Sequence, residues 1–300
     1  MQFQIEDRLS VPAELAAAHA TMPQQSVNVL NSTCTEENKL IRIFLGTAVI
    51  VHLSSGKRIP QSTNYSVLGA PTVTGRTYKV IEAQLAVYDV TPMEVDKLLR
   101  KTLSQRAYYQ DLLSEICNVL WRTKTGEHTL AFLHLYRFLE HISFAFPLLY
   151  AARTSDFNGA FASLKELLSD AEKKELSFFR KFVETSIEAH LRSQTVKVVF
   201  NDVDLGNRHA VYFAIKNQVS ALSRTSTVLD TEIEIKYDGI LDLCINLRNR
   251  YFHFAATNPQ NISSSGIGDS DVLFSRVNQP ILNWLAVLYF ETLKHRVNAA

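Results

Sequence analysis

The residue types best suited to chemistry lie near the C-terminus, where Arg248, Asn249 and His253 form the pattern Arg-Asn-x-x-x-His. With 17 Arg, 16 Asn and 9 His in 300 residues, chance would produce this pattern about 0.03 times. Arginine offers a permanent charge and several donors to a phosphate, and histidine can accept or donate a proton near neutral pH. The three residue types therefore resemble a set that cleaves phosphodiesters without metal ligands.

Helical spacing would bring the three side chains to one space. Asn249 and His253 are four positions apart, so on an α-helix they would stack on one face. The long side chain of Arg248 can reach round the helix to the same space. The other interpretation is a solvated Arg-Asn pair and a surface histidine on an ordinary amphipathic helix. Spacing alone leaves both interpretations open.

A second candidate group lies in the earlier segment 133–144, which is rich in apolar residues. Glu140 stands among them, and a carboxylate in apolar surroundings should be paired with a cation. The candidate partners are Arg248, which would place Glu140 in the site, and Arg137, three residues back on the same helix. Tyr136, one turn before Glu140, either faces the site or packs in the core with its hydroxyl at the edge.

Strand signals dominate the first third of the chain. Residues 40–53 are dense in β-branched side chains and precede a Ser-Ser-Gly turn, and residues 78–90 form a second candidate strand. From Thr91, whose capping box with Glu94 starts a helix, the pattern becomes helical. We predict helices over 92–103, 105–122, 127–153, 157–168, 170–193, 208–224, 236–257 and 271–297.

These elements predict an α+β fold. A small β-rich N-terminal domain (1–90), with a sensing or regulatory role as one hypothesis, is followed by connecting helices (91–126) and an all-α antiparallel helical bundle (127–300). Within the bundle, residues 195–200 form either a short strand or an extension of the preceding helix, and the pattern does not decide between them.

Composition limits the binding partners and the cellular compartment that we expect for this protein. The chain has 31 basic and 30 acidic side chains and a formal net charge of +1, so a nucleic-acid site must be a local basic patch. The N-terminus lacks the features of a secretory signal, and no apolar run reaches the length of a membrane span, which predicts a cytoplasmic protein with no membrane partner. The 3 cysteines are far apart, which argues against a disulfide framework or a zinc site. We expect no cofactor and no metal.

The pattern formed by Arg248, Asn249 and His253, on the penultimate helix of a predicted all-α region, resembles the signature of HEPN domains, the higher eukaryotes and prokaryotes nucleotide-binding superfamily. The segment 133–144 is similar to an early bundle helix of several HEPN families. The resemblance covers roughly residues 127–300. It implies a metal-independent endoribonuclease that acts as a homodimer, with two motif helices meeting at a two-fold axis to form one composite site.

The resemblance also implies a role for each motif residue. One His253 would take the proton of the ribose 2′-hydroxyl while the other protonates the leaving 5′-oxygen, which leaves a 2′,3′-cyclic phosphate. Arg248 would stabilise the charge on the phosphorus group, and Asn249 would orient an oxygen or hold His253 in place.

Three further residues complete the expected site: Glu140 in the catalytic set, and Arg250 and Tyr136 as contacts to the RNA. Many proteins of the superfamily are toxins or antiphage defence effectors, which implies a protein or small-molecule activator or an antitoxin. HEPN toxins paired with a nucleotidyltransferase antitoxin carry a tyrosine two residues after the histidine, whereas this chain has Ala255. That particular partnership is therefore in doubt.

Two alternatives to the RNase hypothesis remain open. In the first, the bundle is a non-catalytic module that binds nucleotides or proteins and dimerises a sensing N-terminal domain. In the second, the N-terminal domain is the main functional element. Dimerisation separates the RNase from the first alternative, because a strict monomer cannot assemble paired histidines.

Overall fold

The computed structural model describes residues 2–10, 26–151, 165, 176–186, 188–253 and 261–298. It combines helices with two small antiparallel sheets, which confirms the predicted α+β class. The strands and helices in chain order are β1 (Phe3–Asp7), α1 (Glu36–Phe44), β2 (Ala48–His52), β3 (Arg58–Pro60), α2 (Lys79–Ala86), α3 (Pro92–Lys101), α4 (Arg106–Thr125), α5 (His128–Ala151), α6 (Ser177–Ser186), α7 (Ala189–Arg192), β4 (Thr195–Val199), α8 (Leu205–Lys216), β5 (Arg224–Val228), β6 (Glu232–Lys236), α9 (Gly239–Leu247), α10 (Ser264–Ile267) and α11 (Ser270–Asn298).

The predicted strand 40–53 is wrong in its first half, which belongs to helix α1. Thr35 caps this helix, because its side chain accepts a hydrogen bond from the Asn38 N–H at 3.2 Å. The β-branched residues that follow are buried within the helix, and this burial overrides their strand propensity. Gly46 ends the turn at φ +66°, where a Cβ would lie 2.6 Å from the Thr63 carbonyl oxygen. Only β2 keeps the predicted strand, in a sheet of order β1-β2-β3.

Helix α2 replaces the second predicted strand, 78–90. Its buried residues Ile81 and Leu85 are four positions apart, which is the spacing of one helical face. The N-terminal third is therefore a mixture of short strands and helices and is not β-rich as predicted.

The region predicted as an all-α bundle contains a three-stranded antiparallel sheet of order β4-β6-β5, so that prediction is wrong for this part. The segment 195–200, for which strand and helix extension were both open, forms strand β4. The predicted helix 208–224 ends after α8, and the chain turns at Asp230, φ +57°, between β5 and β6. Ile233 and Ile235 are fully buried and alternate with charged residues, which is a strand pattern.

Four of the predicted helices are confirmed. Helix α3 begins with the capping box of Thr91 and Glu94, and α4, α5 and α11 match their predicted ranges to within a few residues. The predicted helix 157–168 lies outside the described residues apart from residue 165, and 170–193 is described only as α6 and α7. Within the described part of the chain, no helix combines the length and the apolar composition that a membrane span requires.

One hydrophobic core runs through the described structure. Its members extend from Phe3 in β1 to Val297 in α11. The core shows no break at the predicted boundaries after residues 90 and 126. The N-terminal third and the helical region are therefore packed against each other.

A buried ion pair joins distant parts of this core. The side chains of Arg296 in α11 and Glu37 in α1 are 3% and 1% exposed, and Arg296 Nη1 donates to Glu37 Oε1 at 2.7 Å. Thr102 and Tyr289 donate hydrogen bonds to Glu37 at 2.6 and 3.3 Å, and Tyr109 accepts one from Arg296 at 2.8 Å. Burial by itself would lower the pKa of Arg296, but the Glu37 carboxylate and the neighbouring Tyr109 and Tyr289 together outweigh burial and raise that pKa above its ordinary value.

Replacing Glu37 by Gln should strongly destabilise the protein. The change keeps the shape of the side chain but leaves the Arg296 guanidinium buried without a counter-ion, which costs about 3–5 kcal/mol of the free energy of unfolding. Urea denaturation measures this loss. The matched control is Arg58→Gln, which breaks the pair of Arg58 and Glu6, with Arg58 55% exposed. It should cost less than about 1 kcal/mol, and equal losses in the two variants would contradict the assignment.

Candidate functional site

The motif lies on a turn that is wider than an α-helix. Helix α9 ends at Leu247, and the chain continues as one π-helical turn, Arg248–Phe252, before it leaves the helix at His253 with φ −111° and ψ 81°. The predicted helix 236–257 is confirmed over 239–252, as α9 and the π turn, but not as one continuous α-helix that carries His253. Strand β6 occupies its start, the helix stops before His253, and the part beyond His253 lies outside the described residues. Asn249 and His253 do not share a helical face, and His253 is exposed where the turn ends.

Packing of aromatic rings accounts for the widened turn. Phe252 stacks on Phe132 of α5, with ring centroids 6.0 Å apart and planes 5° from parallel. Phe274 of α11 contacts these rings at 5.8 and 4.7 Å, and Tyr251 packs edge-on against Phe274 at 5.1 Å. A π turn holds one more residue than an α turn, which lets the adjacent residues Tyr251 and Phe252 both reach this aromatic cluster. Such turns are frequent at functional sites.

Arg248 and Asn249 contact each other directly. Arg248 Nη1 donates a hydrogen bond to Asn249 Oδ1 at 2.9 Å, and the Arg248 Cζ lies 5.2 Å from the centre of the Tyr136 ring. Tyr136 is only 4% exposed, so it forms a floor beneath Arg248. Of the two interpretations of Tyr136, its burial favours packing in the core, and contact with substrate stays a prediction. The contact also brings together the two segments that the sequence singled out separately.

Glu140 does not join this group. Its side chain is exposed on α5, and no cation within the described part of the chain pairs with it. Arg137 pairs instead with Glu115 of α4, Nε to Oε1 at 3.3 Å, and His134 Nδ1 lies 2.6 Å from Glu115 Oε2. The predicted pairings of Glu140 with Arg248 and with Arg137 are both wrong, because the helix turns Glu140 to water while its apolar neighbours face the core.

Arg250 adds a second cation beside the motif pair. Its backbone carbonyl accepts a hydrogen bond from the Ile262 N–H at 3.0 Å, which attaches the π turn to the segment before α10. Its half-buried guanidinium forms no ion pair with any carboxylate of the described residues.

The described residues include no group of three or more His, Cys, Asp or Glu side chains placed to hold a metal ion. Comparisons with protein-family models, with curated proteins and with solved structures found no match to this chain. The site is thus characterised by its own geometry. It consists of an arginine-asparagine pair on an aromatic floor, a neighbouring arginine, and an exposed histidine where the turn ends.

The contact of Arg248 with Tyr136 should appear as an energetic coupling. Partly buried cation–π contacts contribute about 0.5–2 kcal/mol. A double-mutant cycle of Arg248→Met and Tyr136→Leu, measured by urea denaturation, should give a coupling energy in this range. Tyr136→Phe keeps the ring and should preserve most of the coupling. Additive losses in the cycle would show that the ring does not hold the guanidinium.

Proposed function

We propose that the protein is a metal-independent endoribonuclease of the HEPN type, in which two copies of the motif turn form one composite site. The observation that carries the proposal is the contact of Arg248 with Asn249 on a turn that ends at the exposed His253. A guanidinium held on an aromatic floor is prepared for a phosphate. Arg250, which pairs with no described carboxylate, adds a second cation for the RNA backbone.

In the proposed reaction the ribose 2′-oxygen attacks the adjacent phosphorus while His253 of one copy removes the hydroxyl proton. The O2′–P bond forms, the P–O5′ bond breaks, and His253 of the other copy protonates the departing 5′-oxygen. Arg248 stabilises the charge that develops on the phosphoryl oxygens, and Asn249 holds Arg248 in position. The products are a 2′,3′-cyclic phosphate and a 5′-hydroxyl.

Two copies are required by this chemistry, because one motif histidine cannot act as base and acid in the same step. A two-fold axis beside the motif turn would place both copies of His253 and Arg248 around one phosphate. Glu140 has no part in the proposal, since its exposed carboxylate supports neither arginine.

An activity of this kind suits a cytoplasmic toxin or antiphage effector that an antitoxin restrains or that a protein or small molecule stimulates further. A second candidate is a non-catalytic module that binds nucleotides or proteins. The contacts of Arg248 with Tyr136 and Asn249 support this candidate as well, because an arginine held in place can bind a phosphate without cutting the chain.

His253→Ala and Arg248→Ala should each slow RNA cleavage by about a hundredfold or more, because proton transfer and charge stabilisation each contribute at least that factor. The wild-type protein should cut mixed RNA in excess EDTA and leave cyclic-phosphate ends. A 2′-deoxy ribose at the cut position should block cleavage, because the nucleophile is missing.

Glu140→Ala is the matched control, since this exposed residue lies outside the proposed machinery, and it should cut at the wild-type rate. Cleavage at the wild-type rate by His253→Ala would contradict the ribonuclease proposal. A stable dimer that binds RNA without cutting it would indicate the non-catalytic module instead.

Subunit mixing tests the composite site. When wild-type and His253→Ala chains are mixed in equal amounts and exchange freely, only about a quarter of the dimers carry two histidines. The cleavage rate at constant total protein should therefore fall to about one quarter of the wild-type rate, whereas independent chains would give about one half. Light scattering on a sizing column should show a dimer under the same conditions. A strict monomer that cuts RNA would contradict the shared site.

A further inference from the structure

A cavity of about 250 Å³ lies between the C-terminal half of α8 and the segment that leads into α10. Its volume is below the roughly 300–1,000 Å³ of pockets for drug-sized ligands, so it suits a single flat ring better than a larger molecule. The side chains that line it are neutral, and the principal ones are Phe213, Asn217, Gln218, Asn261, Ile262 and Ser263.

Two hydrogen bonds attach this cavity to the motif turn. The Asn246 side-chain amide donates to the backbone carbonyl oxygen of Gln218 at 2.8 Å. The Ile262 backbone N–H donates to the backbone carbonyl oxygen of Arg250 at 3.0 Å. One bond comes from α9 just before the motif and the other from within it. Two residues that line the cavity, Gln218 and Ile262, are therefore bonded directly to α9 and to the motif turn.

The polar groups of the cavity match the edge of a nucleobase. An amide side chain offers both a donor and an acceptor, and base edges present both. Gln218 is buried, and its Nε2 donates to the Ala214 carbonyl oxygen at 3.1 Å, which fixes the amide. Asn217 contributes a second amide, and the half-buried ring of Phe213 offers an apolar surface for stacking. Because no charged side chain lines the cavity, a neutral ring is favoured over a phosphate.

A cation lies next to the cavity. Lys216 Nζ is 5.2 Å from the centre of the Phe213 ring and 5.5 Å from that of Tyr212. None of the carboxylates in the described ranges forms an ion pair with Lys216, and its charge lies against these two aromatic faces. Lys216 and Arg250 are thus two cations near the cavity that a sugar–phosphate backbone can contact.

We propose that this cavity is a nucleobase pocket, which holds a base of the RNA next to the bond that is cut at the motif turn, with Lys216 contacting the backbone. The inference rests on the proposed ribonuclease function for its biological meaning. Base binding itself is measurable without cleavage.

The test measures binding of short homopolymers of A, C, G and U that carry 2′-O-methyl riboses and so cannot be cut. Fluorescence anisotropy with the full-length protein should show a preference of about tenfold for one base, because a hydrogen bond that one base edge makes and another does not is worth about that factor. Ala214→Leu, which fills the cavity, and Asn217→Ala, an exposed position that folding tolerates, should both reduce that preference. Lys216→Ala should weaken all four homopolymers alike and lower the salt dependence of binding.

The matched control is Ala83→Leu on the exposed face of α2, which should retain the wild-type base preference. Equal binding of the four homopolymers by the wild-type protein would overturn the inference, and so would a preference that survives both cavity variants. These outcomes are separate from failure of the ribonuclease proposal. Protein that prefers one base but cuts no natural RNA refutes the nuclease and keeps the pocket, and cleavage without any base preference does the reverse.

Discussion

The buried pair of Glu37 and Arg296 is the constraint on which the rest of the structure depends. Neither charge is tolerated in the core without the other, so α1 and α11 must meet however the remaining elements pack. Helix α11 also carries Phe274, and through this ring the same helix supports the motif turn. The candidate site is therefore tied to the N-terminal third of the chain, and the strands and helices of that third belong to the frame that holds it.

Local signals made much of this frame predictable. A capping box, as at Thr91 and Glu94, and a long apolar period both depend on residues close together in sequence, so α3, α4, α5 and α11 could be located. The strand predicted over residues 40–53 was wrong in its first half, because β-branched side chains also occur in helices that bury them. The residues that bury α1 come from distant parts of the chain, so the sequence near residue 40 does not reveal them. The hairpin of β5 and β6 carried a period-two pattern at Ile233 and Ile235 that was available but was outweighed by the helical segments around it.

The candidate site also has features that the sequence predicted and features that it did not. The motif residues and the α5 segment could be found from sequence, and the contact of Tyr136 with Arg248 joins them. The π turn could not be found, because it arises from rings on α5 and α11 that no spacing rule connects to the motif. The predicted ion pair of Glu140 was wrong for a similar reason. Glu115, on the neighbouring helix, takes Arg137 instead, and a pairing between helices leaves no trace in local spacing.

Glu37 and Arg296 are 259 residues apart in the chain, and this separation bears on how the protein is made. A ribosome releases Glu37 long before its counter-ion exists, so the N-terminal third cannot complete its core until residue 296 has been made. Long-range pairing slows folding and leaves apolar surface open to chaperones or aggregation. Phe274, which supports the motif turn, is also made late. The motif turn gains this aromatic support only when residue 274 has been made, so a nascent chain carries the N-terminal third well before it carries a finished site.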